Sequence, residues 1–130
     1  MKILVGYDGS NVAAAAVALA AAHAGVFGAQ VHIATSLSKG TDRQQREIRD
    51  GEAALEKMRA VCQKEGLPCE THLLIRGLSA GEDLVQFAFE NDVEEIIVGV
   101  KRRSKVGKLL MGSTAQYVIL KAHCPVVTIK

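Results

Sequence analysis

Two short runs, Ile3-Leu4-Val5 near the start and Ile96-Ile97-Val98 far along the chain, are apolar at every position. A strand with one wet face alternates apolar and polar residues, so a strand without alternation is covered on both faces. In 130 residues, enough for one domain and short for two, that condition is met by a parallel sheet clad in helices. The remaining sequence then has to supply a helix between each strand and the next.

It does so in regular order. Lys2–Gly6 predicts the first strand. Asp8-Gly9-Ser10 supplies a turn and a cap, and Val12–Ala24 predicts a helix ended by Gly25, its many alanines allowing close approach to a sheet. Gln30–Ser36 reads as the second strand. From Thr41 to Glu65, Ile48, Leu55 and Cys62 recur at sevens with Gly51 and Met58 offset by three, giving one apolar stripe that Gly66 and Pro68 terminate. Cys69–Ile75 is a third strand. Ser79 with Glu82 forms a capping box for a helix carrying Leu84, Phe87 and Ala88 to Asn91. Glu95–Gly99 is the fourth strand, Ser113 with Gln116 a second capping box for a helix to Ala122, and Pro125–Lys130 the last strand.

The order βαβαβαβαβ requires right-handed crossovers and a doubly wound α/β domain over residues 1–130, with helices on both faces of the sheet. Five parallel strands favour the order 3-2-1-4-5, whose switch point lies between strands one and four. Ligands of such sheets bind beyond the C-terminal strand ends, here Gly6-Tyr7-Asp8 and Val98-Gly99.

The segment leaving the fourth strand at that place is chemically unusual. Gly99 to Ser113 holds three glycines, five Lys or Arg, Ser104 and no acidic residue. Glycines let backbone N–H groups approach a ligand, and the helix start at Ser113 adds donors and a partial positive charge. The arrangement suits an anion, with phosphate the expected one. Asp8, Ser113 and Gly112 also have plainer readings as cap and turn residues, and a charge run is commonly a solvated surface loop.

Other chemistries are poorly supported. A net charge of +2 does not mark a nucleic-acid binder, and the basic run has no aromatic residue for base stacking. The alanine-rich stretch Val12–Ala22 is well under the roughly 20 residues that span a bilayer. Cys62, Cys69 and Cys124 are odd in number and form no CxxC, which points to free thiols in a reducing cytoplasm. His23, His32, His72 and His123 lie on different elements with no HxxH or HxxxH pairing, so no metal site is expected. Gly107-Lys108 is followed by Leu109, so the loop is not a Walker A, and no Gly-x-Ser-x-Gly occurs. A sensor is expected more than a catalyst.

On its opening Ile3-Leu4-Val5-Gly6-Tyr7-Asp8-Gly9-Ser10, the glycine loop and the closing His123-Cys124-Pro125-Val126-Val127, the chain resembles the universal stress proteins over essentially its whole length. ATP-binding members of that family carry Gly, two residues, Gly, nine residues, then Gly-Ser or Gly-Thr. Gly99 fits the first position and Gly112 with Ser113 the last two, while Arg102 occupies the middle one. The resemblance implies an adenine nucleotide, ATP or AMP with or without Mg2+. Asp8 would accept hydrogen bonds from the nucleoside, and Gly6, Tyr7, Thr35 and Ser36 would line the adenine pocket. Val98 and Gly99 would pass under the ribose, and Gly112, Ser113, Thr114 and Ala115 would cradle the phosphates.

Arg102 leaves two readings open. It either clamps a phosphate with its fork of donors or blocks the pocket, leaving an interaction module of the same fold that binds no nucleotide. Slow ATP hydrolysis or autophosphorylation at Ser104, Ser113 or Thr114 is the most chemistry the resemblance implies. The apolar edge strand Val126–Lys130 and the resemblance both point to a homodimer. The expected setting is the cytoplasm, with an unidentified protein partner and with neither membrane nor nucleic acid as partner.

Overall fold

The central strand of the sheet is the first one in the chain. β1 (Lys2–Gly6) is flanked by β2 (Gln30–Ser36) on one side and β4 (Glu95–Gly99) on the other; β3 (Cys69–Leu74) and β5 (Val126–Ile129) form the two edges. All pairings are parallel, in the order β3-β2-β1-β4-β5, with Ile3 opposite Val31 and Glu95, and Val5 opposite Ile33 and Ile97. The connections run through α1 (Asn11–Phe27), α2 (Gln44–Lys64), α3 (Ala80–Glu90) and α4 (Ser113–Lys121). The computed structural model describes residues 1–38, 44–67, 69–100 and 111–130. No helix among the described residues is long and apolar enough to cross a membrane.

Side chains of a strand alternate between faces, and here each face has its own core. Ile3, Val5, Val31 and Ile33 pack with the α1 alanines Ala13, Ala16, Ala20 and Ala24 and with Leu55 and Cys62 of α2. Leu4, Ile96 and Val98 pack with Leu84 and Phe87 of α3 and Val118 of α4 on the other face. Ile3, Leu4 and Val5 are all wholly buried, which explains the missing polar alternation, and each contributes about 1.5–3 kcal/mol by leaving water.

Several element ends differ from the sequence-based expectation. α1 does not stop at Gly25 but runs to Phe27, where Gly28, at φ +65°, turns left-handed and donates its N–H to the Ala24 carbonyl. One glycine inside a helix costs about 1 kcal/mol relative to alanine, which the buried alanine face of α1 offsets. β3 ends at Leu74 rather than Ile75, and β5 is confined to Val126–Ile129. The described part of α2 begins at Gln44; its expected start at Thr41, like Pro68, lies outside the described residues. Ser79 does cap α3, its hydroxyl accepting the Glu82 N–H at 3.4 Å and donating to the Glu82 carboxylate at 2.7 Å.

The second expected capping box does not form. Gly112, extended at φ −64° and ψ 155°, is the N-cap of α4, and among the described residues no side chain caps it. Ser113 is already helical, one residue too late for its hydroxyl to cap the helix, and Gln116 Nε2 donates instead to the Met111 carbonyl at 3.2 Å.

Candidate functional site

At the C-terminal end of the sheet, where β1 and β4 diverge toward helices on opposite faces, lies a cleft of about 350 Å³. This is the size range of small-molecule sites, roughly 300–1,000 Å³. Gly6, Tyr7 and Asp8 leave β1 into its floor, Val98 and Gly99 end β4 beside them, and Thr35 and Ser36 close the β2 side. Gly112, Ser113, Thr114 and Ala115 bring the first turn of α4 to the opposite rim. The structure thus gathers every residue the sequence nominated except Arg102, which lies outside the described residues. Ser10, Val12, Ala13, Ala34, Leu37, Ala80 and Leu84 also line the cleft and were not foreseen.

The polar side chains of the cleft are largely committed to one another. Asp8 Oδ1 accepts the Ser10 N–H at 3.0 Å and its hydroxyl at 2.5 Å, while Ser10 Oγ accepts the Ala13 N–H and caps α1. Ser10, not Asp8, is therefore the helix cap, and Asp8 orients it from an exposed position at the mouth of the cleft. The Thr35 hydroxyl donates to the Tyr7 carbonyl at 2.8 Å, and the Tyr7 N–H donates to the Ala34 carbonyl. Asp8 is the one charged side chain among the described lining residues.

Ser36 reaches further. Its hydroxyl donates at 2.6 Å to Oδ2 of Asp83, a fully buried carboxylate on α3. Arg76 completes the network, with Nε 2.6 Å from Asp83 Oδ1 and Nη2 donating to the Asp83 carbonyl at 3.0 Å. Burial works against the Arg76 charge, but the hydrogen bonds and charges of Asp83 and Glu90 outweigh it and raise its pKa. The network ties the end of β2 to the start of α3 and so fixes one wall of the cleft. Its members are spread over 47 residues of sequence, with no local signal to link them.

The glycines divide into two kinds. A Cβ on Gly6 would come within 2.7 Å of Leu84 Cδ1, and one on Gly99 within 2.8 Å of Val12 Cγ1. These two are small because helices pack against them. A Cβ on Gly112 would meet nothing within 4 Å among the described residues. Gly112 lines the cleft beside backbone N–H groups of the α4 first turn that have no partner within the helix.

The universal stress protein family profile matches residues 1–130, the whole chain. This chain belongs to the universal stress protein family. A universal stress protein of Methanocaldococcus jannaschii is 33% identical over 81 residues, covering 62% of this chain; the chain spans about half the length of that relative, 46%. Among solved structures, a universal stress protein from Archaeoglobus fulgidus is 38% identical, covers 100% of this chain and 98% of its own, and superposes with a TM-score of 0.92. A second structure of a universal stress protein from that organism, in complex with dAMP, is 34% identical over 100% of this chain and 98% of its own, with a TM-score of 0.84. The doubly wound sheet expected from the element order and the family expected from the motif resemblance are thus both found.

Proposed function

We propose that this universal stress protein binds an adenine nucleotide, AMP or ATP with or without Mg2+, in the cleft at the β1/β4 switch point. The observation that carries the reading is the first turn of α4, which opens onto that cleft at a glycine and which, among the described residues, no side chain caps or obstructs. Two further facts support it: the nominated residues other than Arg102 share one cleft, and a full-length relative of 34% identity is a complex with dAMP. Adenine lies against Gly6, Tyr7, Thr35 and Ser36, and ribose over Val98 and Gly99. The phosphates meet the N–H groups and hydroxyls of Gly112 to Ala115. Because the Thr35 and Ser36 hydroxyls already donate to protein acceptors, they meet the base with their oxygen lone pairs, as acceptors. Among the described lining residues the polar side chains serve capping and wall contacts, the Ser10 hydroxyl on Asp8 included, and the role we assign is sensing or regulation in a stress response. The edge strand β5, whose Val126, Val127 and Ile129 are only half-buried, pairs with that of a second copy through Val126–Lys130.

Titration calorimetry with nucleotide-stripped protein tests the reading. AMP and ATP give saturable heat, and Gly112→Val abolishes it without loss of fold, since the added carbons occupy the open space of the phosphates. No heat at millimolar nucleotide overturns the proposal. Arg102→Gly weakens binding if that guanidinium clamps a phosphate and strengthens it if it obstructs the pocket.

A further inference from the structure

On the sheet face that carries α3, toward the β3 edge, the register sets His32 of β2 beside Glu70 of β3, and Ala34 beside His72. The alternation of β3 then puts Glu70 and His72 on the same face as His32. His32 Nδ1 lies 2.9 Å from His72 Nε2, and Glu70 Oε2 is 3.7 Å from the first and 3.9 Å from the second. We propose that His32, His72 and Glu70 are the ligands of a divalent transition-metal site, with Zn2+ the best-suited ion.

The hydrogen bonds around the cluster fix its chemistry. Gln30 Nε2 donates to Glu70 Oε1 at 3.1 Å, so its amide oxygen faces His32 Nε2, which donates to it at 3.1 Å. A neutral His32 protonated on Nε2 has its lone pair on Nδ1, aimed at His72. This is the outer-shell pattern of a metal-bound histidine, whose second ring nitrogen is held by a carbonyl. His72 now donates its Nε2 proton to that lone pair; carrying the proton on Nδ1 instead leaves Nε2 free to coordinate while the ring stays neutral.

The distances fit with small adjustments. Zinc–nitrogen and zinc–oxygen bonds of about 2.0–2.1 Å at tetrahedral angles put ligand atoms about 3.3 Å apart. The two nitrogens must open by about 0.4 Å and the carboxylate must close by about 0.5 Å, within reach of the exposed Glu70 side chain. His32 is nearly buried and Phe87 packs at 4.7 Å from the His72 ring, which holds two ligands in place, while Glu70 and the partly open His72 give access from solvent. Two histidines and one glutamate leave a fourth position for water. The site does not line the cleft, although Ala34, the register partner of His72, does.

The test is titration of zinc chloride into protein stripped with EDTA and dialysed, followed by calorimetry and thermal unfolding. One equivalent binds and raises the unfolding temperature, and magnesium chloride at the same concentration does neither. His72→Ala and the surface change Glu70→Gln each weaken Zn2+ binding about 10-fold or more, whereas His123→Ala, on an exposed turn, leaves it unchanged. Should His72→Ala not fold, Glu70→Gln alone decides. Absence of Zn2+ binding, or binding that Glu70→Gln and His72→Ala leave intact, overturns the site.

Discussion

Replacing Gly99 by alanine tests how the end of β4 is built. The new Cβ would stand 2.8 Å from Val12 Cγ1, 3.0 Å from Cγ2 and 3.3 Å from Cβ. Carbon atoms pack best at about 3.5–4.0 Å, so the nearest contact must open by about 0.7 Å. Val12 cannot rotate clear, because a β-branched side chain in a helix has one strongly preferred rotamer and both of its methyls are already in contact. The first turn of α1 must move instead. Overpacking of this kind costs about 1–3 kcal/mol, and at about 4 °C per kcal/mol for a chain of this length the midpoint falls by about 4–12 °C. Thermal unfolding followed by circular dichroism measures it in a double-mutant cycle. Val12→Ala removes the obstructing methyls, so the double variant is as stable as Val12→Ala alone and the coupling recovers about 1–3 kcal/mol. Wild-type stability of Gly99→Ala, or coupling below about 0.5 kcal/mol, refutes the packing argument.

Arg76→Ala leaves the buried Asp83 carboxylate with Ser36 as its remaining side-chain partner, a loss of about 3 kcal/mol because Arg76 is itself partly exposed, and lowers the thermal midpoint by about 12 °C. Asp83→Asn in that background recovers part of the loss, which urea unfolding reads directly. Burial pushes the Cys69 thiol up to about 12, above its ordinary value of 9.0. The unfolded chain therefore loses that proton first, so stability falls as pH rises above 9, and Cys69→Ala makes the slope shallower in the pH dependence of the urea midpoint. At pH 8 iodoacetamide should modify native Cys69 far more slowly than the urea-unfolded chain. Sedimentation at micromolar concentration should give a dimer, and a monomeric mass counts against pairing through β5.

The strands and their order were legible because the physics is local: unbroken apolar runs, caps and turns alternate at helix–strand spacing, and chirality leaves few topologies. The cleft was legible for the same reason, since the switch point follows from strand order and the Gly112-Ser113 dipeptide sits where that order places a helix start. What escaped was set by contacts across the fold. Gly99 looked like a ligand-approach residue, and it lines the cleft but is also the seat of Val12, which no local pattern showed. Ser113 looked like a cap, but it is itself the first helical residue, and the extended Gly112 before it is the N-cap. The Ser36–Asp83–Arg76 network and the His32–His72–Glu70 cluster depend on neighbours 40 or more residues apart, or on register between strands. No short motif encodes either.

The central claim is that one cleft at the β1/β4 switch point takes the nucleotide. Amide shift perturbation in a nitrogen–proton correlation spectrum, with AMP titrated into stripped protein, tests it most directly. The account predicts saturable shifts concentrated at residues 6–13, 34–37, 98–99 and 112–115, and their disappearance in Gly112→Val. Saturable shifts centred elsewhere, or an unchanged response in Gly112→Val, would contradict it.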